Sequence, residues 1–398
     1  MIILMTGFAF YVGVLLFCLY FCTIADPAES PIAEYLTETL PQEAWSACTR
    51  ILGKKNAKVL EWISDRSLTL VYIVVVGGSW SVIFNYVYPW ITSQGYVSQH
   101  HKTVGYFVFV ACALSWRHAS TANPGIITKK TLSLYDHFPY DDLMFVAGKK
   151  CPTRHIPRLA RSKYDRYKYK QHVPRFDHFC GWVFNTIGEE NYRWFLLFLT
   201  IHVGMCIYGT FVLCGLFHGH IVQKDLYSVT FFNRATGEEI APGNLWFLAQ
   251  YLFHKFFVES AVLVLMAVMS VALGGFLLYH IWITSVGLTT NETFKWDEIK
   301  KWHNAETKKY KQAVKDGLVV EGKAQAPAVS DGDVTCTPGQ SQSTKESART
   351  NSEEIQDPGP KPVNIYDRGF YENWREVFFP ISLRRRKEMM AAAKNKSS

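Results

Sequence analysis

The chain has 398 residues, of which 48% are hydrophobic and 19% charged, with a formal net charge of +8. Such averages suit a soluble enzyme as well as a membrane protein, so the distribution of the apolar residues decides. They gather into long blocks from which Lys and Arg are nearly absent. That pattern points away from a wholly soluble chain and away from a nucleic-acid partner.

In chain order the blocks are Ile2–Thr23, Leu68–Ile91, Val104–Ser120, Trp194–Leu216 and Phe257–Val286. Helices of about 20 apolar residues, at ~1.5 Å rise each, match the ~30 Å hydrocarbon core of a bilayer. The third block is the shortest: its uninterrupted core, Val104–Trp116, has 13 residues, and Arg117 must snorkel at its end. A buried soluble helix is the alternative there. With five crossings, one side of the membrane carries 38 Lys and Arg and the other 4. That is the asymmetry of a cytosolic against a lumenal face. The first block has no Lys or Arg before Arg50. It therefore lacks the basic start of a cleaved signal peptide and is read as an uncleaved anchor.

The expected fold is an α-helical polytopic membrane protein, a bundle of about five transmembrane helices with a small cytosolic cysteine-rich-like domain and a partly disordered cytosolic tail. The segments are an anchor at 1–24, helices two and three at 68–120, a cytosolic catalytic domain at 121–193, and helices four and five at 194–216 and 257–286. A cytosolic segment at 287–321, a linker at 322–362 and a docking segment with a basic end at 363–398 complete the chain. The linker is rich in Ser, Thr, Gly, Pro and Gln and has no aromatic residue, so it cannot bury a core. Nine cysteines are scattered, several inside spans and none in the two lumenal segments. This is no disulfide framework.

The chemistry concentrates in 121–193. Asp177-His178-Phe179-Cys180 stands 14 residues before the next span, which keeps Cys180 near the membrane surface. A thiol with an imidazole two residues away and a neighbouring carboxylate supplies a nucleophile, a base and an orienting group. Cations such as Arg175 favour the thiolate. On spacing alone a plain buried thiol is the commoner outcome.

Here the chain resembles the DHHC palmitoyltransferases, over most of its length. Asn123-Pro124-Gly125 is similar to the family's Asp-Pro-Gly. Ala160–Lys163, Arg175–Trp182, Asn185, Ile187-Gly188 and Asn191-Tyr192 follow its cysteine-rich domain. Thr289-Thr290-Asn291-Glu292 resembles its Thr-Thr-x-Glu motif, and Asn364–Trp374 its C-terminal segment. The resemblance implies a protein S-acyltransferase. His178, oriented by Asp177, would deprotonate Cys180, which takes palmitate from palmitoyl-CoA and passes it to a cytosolic cysteine of a membrane-associated protein. Thr290 would support Asp177 and Asn373 would fix the C-terminal segment. Arg161, Lys163 and Arg175 would meet the CoA phosphates, or form a basic surface facing lipid headgroups. The flavour is that of the endoplasmic-reticulum branch. Lys394 and Lys396 near the end match a Lys-x-Lys-x-x retrieval signal, and Golgi residence is the alternative.

The pattern breaks at the metal positions. The family holds this domain with two zinc ions. The aligned residues here are Cys151, Arg154, Asp165 and His172 for one site, and Arg166, Tyr169, Phe179 and Thr186 for the other. The second set lacks good zinc ligands. The first leaves zinc open, with His155 as a substitute ligand. The expectation is that the domain folds without a cofactor through Tyr164, Tyr167, Tyr169, Phe176, Phe179, Trp182 and Phe184. The retained residues are the catalytic ones, which favours an active enzyme. A silent scaffold or chaperone is the alternative. The run Arg384–Lys387 reads as a surface for anionic lipid.

Overall fold

The structure is a computed structural model that describes residue 35 and residues 40–232, 237–316 and 357–397. The expected anchor at 1–24 and most of the linker at 322–362 lie outside the described residues. The chain divides into two compact units, residues 1–71 and 72–398. The first contains α1 (Leu40–Asp65), whose helical path breaks at Gly53.

Helix α2 (Ser67–Val82) runs through a π-turn at Ile83–Val87 into α3 (Tyr88–Gln94). Pro89 at the start of α3 explains the irregularity, because its missing N–H forces the ladder to re-register. The resulting rod, Ser67–Gln94, is one of three described helices long and apolar enough to cross a membrane. The others are α6 (Tyr192–Gln223) and α8 (Phe257–Ser285). The protein is thus a polytopic helical membrane protein. The expected third span is present as the helix α4 (His100–Thr121), packed along α6. His100, His101, Lys102, Arg117 and His118 at its two ends dilute its apolar character.

Trp80, Ile83, Ile91, Leu213, Leu216 and Met266 form the core of the bundle. Gly209 on α6 lies directly under Met266 of α8, where a Cβ would sit 2.3 Å from the sulfur. A side chain there would make the flexible Met266 thioether move aside. Beyond the C-terminal end of α6 lie a short hairpin, β5 (Phe231–Phe232) with β6 (Glu239–Ile240), and α7 (Leu245–Lys255). Asn244 caps α7 by accepting from the N–H groups of Trp246 and Phe247.

Between α4 and α6 the chain forms a compact finger. It contains the short helix α5 (Leu132–Tyr135) and two antiparallel pairs, β1 (Lys163–Tyr164) with β2 (His172–Val173) and β3 (His178–Cys180) with β4 (Asn185–Ile187). After α8 come α9 (Thr290–Lys315), α10 (Phe370–Phe378) and α11 (Ile381–Ser397). The Thr-Thr-x-Glu stretch is the N-terminus of α9. The Thr289 hydroxyl accepts from the Glu292 N–H and the Glu292 carboxylate accepts from the Thr289 N–H, a reciprocal cap. Helix α10 lies against α8 and α6.

Candidate active site

Strand periodicity places the reacting groups. On β3 alternate side chains share a face, so His178 and Cys180 project together while Phe179 projects oppositely. Register is set by pairing, with Cys180 opposite Asn185, Phe179 opposite Thr186 and His178 opposite Ile187. Asn185 is fully buried and anchors this hairpin to the membrane bundle. Its amide donates to the carbonyls of Ala119 and Ala122, both at 2.8 Å, and its oxygen accepts from Tyr169 and Lys168. Gly188 follows, where a Cβ would lie 2.4 Å from Val173. The close approach of the two hairpins requires glycine there. The thiol of Cys180 is buried among Ala119, Val183, Tyr192, Phe195 and Leu196, at the end of the bundle.

His178 is bound through Nδ1 to Asp177 Oδ2 at 2.6 Å. Asp177 is buried and accepts two further bonds from Thr290, one from the backbone N–H at 2.8 Å and one from Oγ1 at 2.9 Å. Burial pushes the Asp177 carboxyl up, but the bonds and charge of His178 and the Thr290 N–H outweigh it and hold the net shift downward. Burial likewise depresses His178. Its interactions with Asp177 and Cys180 dominate, and the imidazole is raised to about 10. A buried carboxylate, an oriented imidazole and a thiol thus stand in line, able to make a thiolate and to shuttle one proton.

The other expected residues divide. Asn373 donates to Ser285 O at 2.9 Å and to Asp367 at 2.8 Å, pinning α10 to the end of α8. Arg161 and Arg175 are not at the surface. Arg161 is buried and grips Glu292 through Nε at 2.7 Å and Nη2 at 2.6 Å. It stacks on Phe138 and Tyr366, and Nη1 is 3.6 Å from Glu376. Arg175, also buried, lies 3.2 Å from the same Glu376. Buried guanidiniums committed to buried carboxylates cannot also serve a soluble phosphate, so both are corrected to structural clamps joining the finger, α9 and α10. Lys163 does sit at the surface and donates to Asn291. Two residues of the basic run 384–387 have protein partners while remaining partly exposed. Arg386 binds Glu190 at 2.6 Å and Arg385 binds the carbonyls of Ser133 and Asp136.

Several partners escaped the sequence: Glu376, Glu189 and Glu190. The Glu189 carboxylate accepts from the Ser382 N–H, so two adjacent acids at the foot of α6 hold α11. Their one visible signal is a pair of carboxylates beside a long apolar block.

The residues aligned with zinc positions do not fit the metal. Phe179 stacks on Tyr167 at 4.5 Å and meets Phe184 edge-on, while the Tyr169 hydroxyl is spent on Asn185. In the first set Asp165 accepts from the N–H groups of Tyr167, Lys168 and Tyr169, serving as a turn cap. Cys151 is packed among Ile127, Leu134, Ile156 and Leu159. Among the described residues no group of three or more His, Cys, Asp or Glu could hold an ion. The aromatic packing is narrower than expected. Phe176 is buried, but Tyr167 and Trp182 remain largely exposed.

Residues 145–297 match the family model described as DHHC palmitoyltransferase. Palmitoyltransferase SWF1 of Yarrowia lipolytica is 29% identical over 83% of this chain and 84% of its own length. Palmitoyltransferase ZDHHC4 of Mus musculus is 34% identical over 46% of this chain, which spans about half (53%) of that relative. Palmitoyltransferase swf1 of Schizosaccharomyces pombe is 27% identical over 66% of this chain and 62% of its own. Together with a thiol, imidazole and carboxylate assembled at the end of a membrane bundle, these likenesses give residues 145–297 as a DHHC palmitoyltransferase domain in a chain similar to curated palmitoyltransferases.

Proposed function

We propose that the protein carries palmitate on Cys180 as a thioester, from palmitoyl-CoA to cysteines of membrane-associated proteins. The observation that supports this best is the shared face of His178 and Cys180 on β3, with His178 held by an Asp177 that Thr290 fixes. In the first step the Cys180 sulfur, its proton already held by the His178 imidazole, attacks the thioester carbonyl. The tetrahedral adduct then expels CoA thiolate, which leaves with the proton from His178. In the second step the imidazole takes the proton of an incoming cysteine, whose sulfur displaces Cys180. Asp177 keeps Nδ1 engaged throughout, so Nε2 is the nitrogen that exchanges protons. A buried thiol at the foot of an apolar bundle suits a chain that must stay out of water.

The finger, on this reading, works without zinc, its shape set by the Asn185 hub, the Asp165 cap and the Phe179 stack. Lys163 is the remaining candidate for the CoA phosphates. The charge asymmetry supports a cytosolic finger, on the side where acyl-CoA is supplied, and Lys394 and Lys396 support the endoplasmic reticulum. Incubation of the purified chain with a clickable palmitoyl-CoA analogue tests the reading. A hydroxylamine-sensitive label on wild type that is lost in Cys180→Ala is expected. Labelling that survives the substitution would discard the acyl-enzyme.

A further inference from the structure

His280 near the end of α8 is completely buried, and the site built above leaves it unused. Its ring lies 5.9 Å from that of His178, and both rings pack on Phe195, at 5.0 and 5.1 Å, in the cluster that buries Cys180. Phe276 closes another side at 4.5 Å. Nδ1 is 2.9 Å from the Tyr192 hydroxyl. That hydroxyl accepts from Thr284 Oγ1, which leaves its own hydrogen to be given to Nδ1. This order of donation assigns the remaining proton of a neutral imidazole to Nε2. Nε2 is buried and has no hydrogen-bond partner. Buried donors are almost always matched, and an exception beside a nucleophile calls for a partner that arrives with the substrate.

We propose that His280 is a further catalytic residue, whose Nε2–H donates to the carbonyl oxygen of the acyl thioester as it becomes an oxyanion. The proposal rests on the acyl-enzyme reading above. In the first step the Cys180 sulfur–carbon bond forms, the carbonyl pair moves onto oxygen, and the negative oxygen accepts from Nε2–H without taking its proton. The pair then returns and the bond to the CoA sulfur breaks. The proton from Cys180 travels by His178 to that sulfur. His280 therefore starts and ends neutral, and serves the second transfer in the same way. Such a donor, fixed in advance by Tyr192 and shielded by Phe195 and Phe276, acts where water cannot compete.

The test uses the full chain in detergent and reads two rates, palmitoyl-enzyme formation and iodoacetamide alkylation of Cys180 by peptide mass spectrometry. His280→Gln keeps an N–H near the position of Nε2, whereas His280→Asn keeps only the contact toward Tyr192. Acylation is expected to fall on the order of 10²-fold in His280→Asn and to recover at least in part in His280→Gln. Alkylation should match wild type in both, because the His178–Cys180 pair is untouched. Tyr192→Phe, which preserves ring volume, is the second probe and should lower acylation about 10-fold by freeing the ring. Equal acylation of the Asn and Gln variants overturns the proposal, as does an unchanged rate in Tyr192→Phe. A parallel fall in alkylation overturns it too, since His280 would then only support His178. Failure of wild type itself to acylate would instead sink the acyl-enzyme reading.

Discussion

Thr290 donates two hydrogen bonds to the carboxylate of Asp177, 113 residues away in sequence, from its N–H at 2.8 Å and its hydroxyl at 2.9 Å. The N-terminus of α9 thereby fixes the Asp177 carboxylate, and the partial positive charge of a helix start favours its ionised form. Thr290→Val removes the hydroxyl bond and leaves the backbone one. Palmitoyl-enzyme formation should slow about 10-fold, near the value of one bond to a charged acceptor. Asp177→Asn should slow it further, on the order of 10³-fold, because the amide can stabilise the wrong tautomer of His178. Single-turnover labelling with palmitoyl-CoA measures both, and a Thr290→Val rate equal to wild type would remove Thr290 from the machinery.

The Arg161–Glu292 pair gives a stability prediction. Both side chains are about 1% exposed, with Nη2 2.6 Å from the carboxylate. Truncating one partner strands the other charge in the interior, so Glu292→Ala should cost about 3–5 kcal/mol. It also removes the acceptor of the α9 cap. Thermal unfolding in detergent should show a loss of many degrees. A charge-reversed pair, Arg161→Glu with Glu292→Arg, should recover only a fraction, because the cap and the stacking on Phe138 and Tyr366 are not restored.

His178 supplies a pH signature. Its imidazole is raised from 6.5 to about 10 in the folded protein. A raised folded value means that protonation stabilises the native state. The contribution is complete below about 6.5 and is lost as pH climbs through about 10. The melting temperature of wild type relative to His178→Gln should therefore be highest near pH 6 and decline steadily toward pH 10. A difference that grows with pH over this range would contradict the hydrogen-bonded arrangement with Asp177.

Phe179 stands where the family carries a zinc-binding histidine, and its ring is held between Tyr167 and Phe184. Excess chelator should leave the melting temperature and the acylation rate of wild type unchanged. Phe179→Ala should destabilise by about 1–3 kcal/mol, less than a fully buried aromatic would because the site is partly open. Two zinc ions per chain by elemental analysis, with unfolding on chelation, would refute the metal-free finger.

Asn373→Ala removes the donor that ties α10 to Ser285 O and to Asp367. Because α10 also carries Glu376, the partner of Arg161 and Arg175, loosening it should reach the finger. Proteolysis at the segment before Phe370 should accelerate several-fold, with a fall in acylation and no change in the mass of the intact chain.

The apolar blocks, and a thiol with an imidazole two residues away and a neighbouring carboxylate, were legible in the sequence. Both are local consequences of residue type and spacing. The fates of Arg161 and Arg175 were not. A basic residue near a reactive cysteine reads alike whether it faces water or a buried carboxylate, and Glu292 and Glu376 lie more than a hundred residues downstream. Which groups His280 faces was hidden for the same reason. Only the packing of α8 against α6 sets it beside His178, with Tyr192 ordering its protons. Local order follows from the chain's own periodicities, whereas which charges cancel and which donor stays unmatched depends on long-range contacts that folding alone brings together.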